Sequence, residues 1–291
     1  MRILVYGSVP FLVLLVAAAL ACFIGYFVAL GFDNLPLHRL ISRITQLLLV
    51  LSIFPTMRYL HLTRQDLGFA DRPVFLKQLL QGFALGFVTL IPVFIVLYAL
   101  GVTVFDGGKV WTAGSLAGKL SVSLLLALLI SLIEEPLFRG VLLSGLRKKM
   151  SVVAAIALSA GYYAALHFLT SKTQIPASEL NLFSGFTLLG AAFANLFSPT
   201  VTSAFLALFM VGVFLGLVRT RLNTSLGVCI GCHTAWVWQI KMSKDLFNTD
   251  IHSTYVYLVS SYDGVIGPLV TGWLLLAVLG YLGYRKVAGT R

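Results

Sequence analysis

Two adjacent glutamates and an arginine stand inside a long apolar segment of this chain. Residues 134–140 read Glu-Glu-Pro-Leu-Phe-Arg-Gly, and the stretch around them, from Leu116 to Leu146, is otherwise nearly all apolar. A charge in the middle of a membrane costs about 2.5–3.5 kcal/mol on insertion scales, so such groups are kept where they have a use. A carboxylate held at this depth can act as a general base that removes a proton from water.

The spacing of these residues gives them different orientations on one helix. Glu135 and Arg139 are four residues apart, so they share a face and can form an ion pair. Glu134 is rotated by about 100° from Glu135, which leaves it free for chemistry on another face. Pro136 removes an intrahelical hydrogen bond and predicts a kink, which can open a wettable cavity beside the carboxylates.

Two histidines on other apolar segments are predicted to reach a similar depth. Counting about 1.5 Å per helical residue from the predicted cytoplasmic edge places Glu134 about 20 Å deep, His167 about 25 Å and His233 about 18 Å. Tyr163 lies one turn before His167 and either packs there or joins the site. Because buried charges normally need partners, we expect these groups to converge around one hydrated pocket. The alternative is a purely structural polar contact between helices.

The composition is that of a polytopic helical membrane protein. Of the 291 residues, 59% are hydrophobic and 11% are charged, whereas soluble domains carry about 25% charged residues. The mean hydropathy is +0.96. The net charge of +11 does not indicate nucleic-acid binding, because Lys and Arg occupy the ends of apolar segments and form no single patch.

About eight apolar segments approach the length needed to cross a bilayer. We predict spans over residues 9–31, 40–57, 77–101, 116–146, 151–169, 200–218, 223–241 and 264–284. Residues 181–197, which are interrupted by Gly185, Gly190 and Asn195, are predicted to be re-entrant or interfacial. The excess of Lys and Arg in alternate connecting segments predicts that both termini are cytoplasmic.

We expect a single membrane domain, because no internal repeat or low-complexity stretch marks a second one. Within it, residues 1–115 supply N-terminal helices, residues 116–241 hold the ionisable groups described above, and residues 242–291 form a polar loop and the last helix. The loops at 170–199 and 242–262 are polar enough to contact a substrate or a partner.

Two cofactor interpretations compete with a glutamate-based site. Cys229-Ile-Gly-Cys232-His233 matches the pattern of covalent haem attachment, but it lies inside an apolar helix, where the attachment machinery has no access. Buried apolar cysteines are the preferred interpretation, and a redox dithiol is another. Two His and two Glu could ligate zinc, although Arg139 beside the carboxylates disfavours a bound cation. We therefore expect no cofactor.

Three motifs together resemble a known family. They are Glu-Glu-x-x-x-Arg at 134–139, an aromatic-x-x-x-His at 163–167, and His233, which follows a run from Gly216 to Gly227. The set is similar to that of the CAAX prenyl protease and bacteriocin-processing family of intramembrane endopeptidases. The resemblance covers about residues 116–240, a protease-like core. The first motif is fairly specific, and the other two are weak alone.

The resemblance implies a metal-independent glutamate mechanism. By position, Glu134 would activate the attacking water with help from His167. Glu135 and Arg139 would support the site, and His233 would bind water or stabilise the oxyanion. These roles come from the family pattern and not from the spacing of the residues.

One position departs from the family pattern. The family's third motif is His-x-x-x-Asn or a similar polar ending, and Val237 occupies its last position here. Valine cannot donate a hydrogen bond to an oxyanion. Asn195 and Gln239 are candidate substitutes, and a reduced or atypical activity is the alternative.

The sequence therefore predicts an intramembrane endopeptidase that cleaves a membrane-associated peptide or protein within the bilayer. A proton-coupled transporter is one alternative, since intramembrane Glu, Arg and His are typical of ion pathways, but no repeated pair of broken helices supports it. A catalytically silent scaffold or immunity protein on this fold is another, and Val237 keeps it open. The short chain resembles bacterial members of the family, which predicts a location in a bacterial inner membrane and substrates that are not prenylated. The sequence does not define the oligomeric state.

Overall fold

The computed structural model describes residues 2–31, 35–221 and 226–288, and nearly all of its regular structure is helical. The elements are α1 (Arg2–Gly31), α2 (Leu37–Leu51), α3 (Ile53–Tyr59), α4 (Arg72–Ala99), β1 (Thr103–Phe105), α5 (Ala113–Glu135), a π-helical segment (Pro136–Leu142), α6 (Leu143–Arg147), α7 (Val152–Phe168), α8 (Ser184–Leu196), α9 (Thr202–Arg221), α10 (Leu226–Leu246), β2 (Phe247–Thr249) and α11 (Pro268–Ala288). The predicted all-α class is confirmed, with one small antiparallel sheet, β1 against β2, added to it.

Five helical segments of the described chain are long and apolar enough to cross a membrane. They are Tyr6–Gly31, Leu37–Tyr59, Arg72–Ala99, Ala113–Arg147 and Pro199–Thr220. The protein is therefore an integral, multi-pass membrane protein, as predicted. The count of eight spans and the cytoplasmic position of both termini stay predictions. The predicted start of one span, residue 223, lies outside the described residues.

The structure shows how two of the predicted segments are organised into helices. The second predicted span is broken at Ser52, whose hydroxyl donates to the carbonyl of Leu49 at 2.6 Å, so that α2 and α3 are separate helices. Residues 181–197 form α8, a helix of 13 residues that is about 20 Å long and so too short to span a membrane alone. Gly185 lets α8 approach Cys22 of α1 closely.

Helix α10 lies at the centre of the fold because glycines let it approach α4 closely. A Cβ on Gly231 would lie 2.0 Å from the carbonyl oxygen of Leu79, and one on Gly82 would lie 2.1 Å from that of Val228. Small residues at such a contact allow two backbones to pack tightly inside a membrane. Consequently every residue from Leu226 to Trp236 is buried, and His233 is held within the core.

At Pro136 the helix changes its hydrogen-bonding pattern, and the kink predicted there stays a prediction. The α-helical pattern of α5 stops at Glu135, and a π-helical segment begins at the proline and runs to Leu142. Proline has no N–H group, so the hydrogen-bonding ladder must shift there, and single π-helical turns occur often at functional sites. Ser159 of α7 donates to the carbonyl of Phe138 at 3.2 Å, which ties this segment to α7.

Candidate active site

The ionisable residues of the three motifs come together where α5, α7 and α10 meet. Glu134 and Glu135 end α5, His167 lies near the end of α7, and His233 lies in the first half of α10. Glu134, His167 and His233 all line one cavity of about 900 Å³. This volume lies in the range of small-molecule and peptide-binding pockets.

Glu135 is the buried centre of a hydrogen-bonded cluster. Its Oε1 atom accepts from Arg139 Nη1 at 3.0 Å and lies 2.8 Å from His233 Nδ1. The side chains of Glu135 and Arg139 are 0% and 1% exposed. The guanidinium of Arg139 also lies 4.4 Å from the centroid of the Tyr163 ring, a cation–π contact. The Glu135 carboxylate therefore has a structural role, because it links Arg139 and His233.

Glu134 has the opposite environment. Its side chain is 27% exposed, and Oε2 lies 3.9 Å from His233 Nε2, beyond direct hydrogen-bonding distance. Oε2 has no hydrogen-bond partner among the described residues. Two polar atoms at this spacing can be bridged by one water molecule. The 100° rotation between the two neighbouring glutamates thus places one in the core and the other against the cavity.

The hydrogen bonds of the two histidines indicate which ring nitrogen of each faces the cavity. His167 Nδ1 lies 2.8 Å from the carbonyl oxygen of Tyr163, which can only accept, so Nδ1 carries the proton. His233 Nδ1 faces the carboxylate of Glu135 in the same way. In the neutral form of either ring, Nε2 is then the free acceptor. Both imidazoles can therefore exchange a proton with a group in the cavity.

Tyr163 belongs to the site as a packing residue between its charged members. The side chain is 2% exposed, and its ring centroid lies 4.6 Å from that of His167 and 6.2 Å from that of His233. The edge of its ring meets Phe138 of the π-helical segment at 5.1 Å. Tyr163 thus separates His167 from the buried cluster around Glu135 and orients both.

The donor atoms do not suit the metal and haem alternatives. In the described part of the chain, no group of three or more His, Cys, Asp and Glu side chains is arranged to hold a metal ion. Cys229 and Cys232 are both wholly buried in the packed core, and the Sγ of Cys229 points to the carbonyl of Leu215 at 3.6 Å. This packing leaves no room beside the thiols for a macrocycle. That the protein works without a cofactor stays a prediction.

Neither substitute suggested for the missing polar residue at position 237 reaches the cavity. The amide of Asn195 donates to the carbonyl of Phe168 at 2.9 Å. The amide of Gln239 donates to the carbonyls of Ala235 at 3.0 Å and Gly86 at 3.3 Å, on the face of α10 that packs against α4. Val237 and Gln239 are two residues apart on α10, so their side chains are rotated by about 200° from each other. Val237 itself lines the cavity.

The structure adds cavity residues that the motifs did not indicate. His38 and Arg43 of α2, Lys241 and Lys244 at the end of α10, and Tyr262 with Asp263 before α11 line the same space. Thr170 and Ser171 also line it, from one of the two loops expected to contact substrate. No motif marks these positions, since they are brought together only by the packing of α2 and of the segment before α11.

The comparisons agree with the family resemblance. Residues 116–239 match the sequence model of the family described as type II CAAX prenyl endopeptidase, Rce1-like. No curated protein and no solved structure matches the chain. All six motif residues assembled at the site lie inside the matched range, whereas α2 and the segment before α11 lie outside it. Over residues 116–239 the chain is therefore similar to the Rce1-like family of type II CAAX prenyl endopeptidases.

Proposed function

We propose that this protein is an intramembrane endopeptidase that hydrolyses a peptide bond of a membrane-associated substrate with a water molecule activated by Glu134. The observation that carries the proposal is the contrast between the two glutamates. Glu135 is wholly buried and held by Arg139 and His233, while Glu134 is 27% exposed and lines a cavity that His167 and His233 also line. The match to the Rce1-like family over residues 116–239 supports a protease, and this geometry supports the glutamate mechanism.

The first step is attack by water on the scissile carbonyl carbon. The water lies between Glu134 Oε2 and His233 Nε2, which are 3.9 Å apart. Glu134 takes one proton as the water oxygen bonds to the carbonyl carbon, and the carbonyl electron pair moves onto its oxygen. General-base assistance of this kind typically accelerates a reaction by about 10²–10⁴-fold. His167, which lines the same cavity from α7, assists through its free Nε2.

The second step is collapse of the tetrahedral intermediate. The carbonyl re-forms, the carbon–nitrogen bond breaks, and the proton held by Glu134 passes to the leaving nitrogen. The products are a carboxylic acid and an amine, and Glu134 returns to its carboxylate form. No covalent enzyme intermediate is needed, since among the described residues no Ser or Cys side chain forms a hydrogen bond with either His167 or His233.

Glu135 and Arg139 serve as positioning residues in this mechanism. The Glu135 carboxylate fixes the His233 ring by holding Nδ1 at 2.8 Å, which aims Nε2 at Glu134. Arg139 balances the charge of Glu135 in the buried cluster. Orientation of a histidine by a carboxylate on its other nitrogen is a recurring feature of hydrolytic sites.

The outer part of the cavity favours substrates that carry an anionic group near the cleaved bond. Three cationic residues line the cavity, Arg43, Lys241 and Lys244, together with three histidines, whereas Glu134 and Asp263 are its acidic lining residues. A peptide ending in a free carboxylate a few residues beyond the scissile bond would place its charge among these cations. We propose a membrane-tethered peptide with such an end as the substrate class, in a bacterial inner membrane.

Cleavage by matched glutamate variants tests the proposal. Purified wild-type protein, Glu134→Gln and Glu179→Gln are reconstituted in liposomes with quenched-fluorescent peptides that end in a free carboxylate and carry either a prenylated or an unmodified cysteine. Glu179 is the one glutamate outside the site, and it is exposed in the loop after α7. Wild type and Glu179→Gln should cleave a peptide, and Glu134→Gln should not, although it remains folded.

The two alternatives predict other outcomes of the same experiment. Val237 favours a catalytically silent protein. Such a protein would cleave none of the peptides in liposomes, and it would also cleave no natural substrate in the membranes of the cells that express it. A transporter would carry solute into the liposomes in response to a proton gradient. Full turnover by Glu134→Gln would reject the assignment of the base. Membrane peptides that accumulate in cells with Glu134→Gln, relative to wild type, would identify the natural substrates.

A further inference from the structure

The segment between β2 and α11 lies outside the matched family range and still forms one wall of the cavity. Tyr262, Asp263 and Ile266 line the space together with Glu134 and His167. Ile266 and Val237 also both line a small adjoining cavity of about 50 Å³. This segment therefore lies over the part of α10 that holds His233 and Val237.

The loop that carries Tyr262 is firmly built. The hydroxyl and the N–H of Ser260 both donate to the carbonyl of Ile266, the N–H bond at 3.1 Å, and the N–H of Gly264 donates to the carbonyl of Ser260 at 3.2 Å. Asp263 Oδ1 accepts from the N–H groups of Val265 at 3.0 Å and Ile266 at 2.7 Å. Gly264 has φ +77°, a conformation that favours glycine.

The loop is held in place by its contacts with the hydrophobic core. Val265 and Ile266 are buried members of the main hydrophobic cluster, as are Val259 and Val270 on either side. A Cβ on Gly267 would lie 2.7 Å from the backbone nitrogen of Ser260, so the two ends of the loop touch. The backbone that carries Tyr262 is therefore fixed before any substrate binds. A hydrogen-bond donor that stabilises the negative charge of a transition state must be positioned in advance in this way.

Tyr262 lines the cavity beside the end of α7 that carries His167. Its ring packs edge-on against Phe168, the residue after His167, with centroids 5.2 Å apart. The side chain is 44% exposed, and it lines the cavity. Its hydroxyl makes no hydrogen bond to another described residue, so it is available to an incoming group.

We propose that Tyr262 donates the hydrogen bond to the oxyanion that Val237 cannot provide. The proposal rests on the proposed function. The polar residue that the family places at position 237 of α10 is missing here, Asn195 and Gln239 are engaged elsewhere, and the loop that covers Val237 presents a free phenol instead. The donor has moved from α10 to the segment before α11.

The protonation state of the phenol agrees with this role. Burial, with the neighbouring charges of Asp263 and Glu134, raises the pKa of Tyr262 to about 12. The hydroxyl therefore keeps its proton throughout the working range of pH and can donate to the carbonyl oxygen as negative charge develops there. Asp263 fixes the loop through two N–H groups and acts as a positioning residue.

Removal of a single hydroxyl, followed by restoration of the family residue, tests the proposal. In the liposome assay, Tyr262→Phe should lower kcat for the quenched peptide by about 10²–10³-fold with little change in KM, the effect of losing one oxyanion donor. Tyr257→Phe, at an exposed tyrosine of the same segment, is the matched control and should keep full activity. Val237→Asn added to Tyr262→Phe should recover a large part of kcat.

The outcomes separate this proposal from the proposed function. Wild-type kcat in Tyr262→Phe, while Glu134→Gln is inactive, would overturn the role of Tyr262 and leave the glutamate mechanism standing. A rise in KM alone would also overturn it, since the hydroxyl would then bind only the ground state. Cleavage that survives in both Glu134→Gln and Tyr262→Phe would overturn both. Recovery by Val237→Asn is the result that a structural role of Tyr262 cannot produce.

Discussion

His233 Nδ1 and the Oε1 atom of Glu135 lie 2.8 Å apart, and the same oxygen accepts from Arg139 at 3.0 Å. One carboxylate oxygen thus joins α10, α5 and the π-helical segment inside the core. Because this interaction occupies Glu135, the neighbouring Glu134 remains available at the cavity. Glu135 therefore has a structural role and Glu134 a chemical one, and substitution of each residue can test this difference.

Removal of Arg139 should destabilise the protein far more than neutralisation of Glu134. Arg139→Met leaves the carboxylate of Glu135 buried without its cation, which typically costs about 3–5 kcal/mol. Glu134→Gln neutralises a side chain that is 27% exposed and whose Oε2 atom has no hydrogen-bond partner among the described residues, so it should leave stability nearly unchanged. Thermal unfolding in detergent measures both variants. Equal stability of the two would contradict the structural role assigned to the Glu135 cluster.

The close approach of α4 and α10 should depend on Gly231. Gly231→Ala would place a Cβ 2.0 Å from the carbonyl oxygen of Leu79, so the helices must move apart and carry His233 with them. We expect a marked loss of thermal stability and of cleavage. Gly272→Ala on α11, where a Cβ meets nothing within 4 Å, is the matched control and should behave as wild type. An unaffected Gly231→Ala protein would show that this contact does not position the site.

The basic wall of the cavity should select for a negative substrate terminus. The double variant Lys241→Gln, Lys244→Gln removes two cations that line the cavity, and it should raise KM for a peptide acid by several-fold while changing kcat little. The matching peptide amide should show no such difference between variant and wild type. Rates for acid and amide peptides in liposomes provide the measurement. An equal effect on both peptides would point to a general loss of structure.

Asp263 should make stability depend on pH in a particular direction. Burial raises the pKa of this carboxyl, and the hydrogen bonds from Val265 and Ile266 and the charges of Lys244 and His167 oppose that rise without cancelling it. A raised folded-state pKa gives stability that is full below the unfolded value of about 3.9 and declines as pH rises through the folded value.

Asp263→Asn is the variant that isolates this effect. The asparagine oxygen can still accept from Val265 and Ile266, while the titrating group is gone. The melting temperature of wild type should therefore fall relative to Asp263→Asn as pH rises from about 4 toward 7. A constant difference across that range would show that the carboxyl titrates as it does in the unfolded chain.

Much of this site could be predicted from spacing along single helices. The four-residue separation of Glu135 and Arg139 predicted their ion pair, and the rotation of Glu134 predicted its separate environment. The sequence predicted that Pro136 disturbs the helix but not that a π-helical segment follows it, because the loss of one N–H group does not by itself set the new hydrogen-bonding pattern. Gln239 was a candidate substitute for the polar residue missing at position 237, but its amide donates to the carbonyls of Gly86 and Ala235 on the face of α10 that packs against α4.

By itself, the sequence determined that the chain is a multi-pass helical membrane protein with an intramembrane Glu-Glu-x-x-x-Arg motif, since hydropathy and helical periodicity are local properties. Only the tertiary structure decided which groups share the cavity with Glu134. The basic residues of α2 and α10 and the phenol of Tyr262 reach it through contacts between segments far apart in the chain, and such contacts leave no periodic signal. The physical reason is that hydropathy and periodicity allow many arrangements of the helices, and tertiary packing selects one of them. The contacts at Gly82 and Gly231 and the loop from Ser260 to Gly267 are part of that packing.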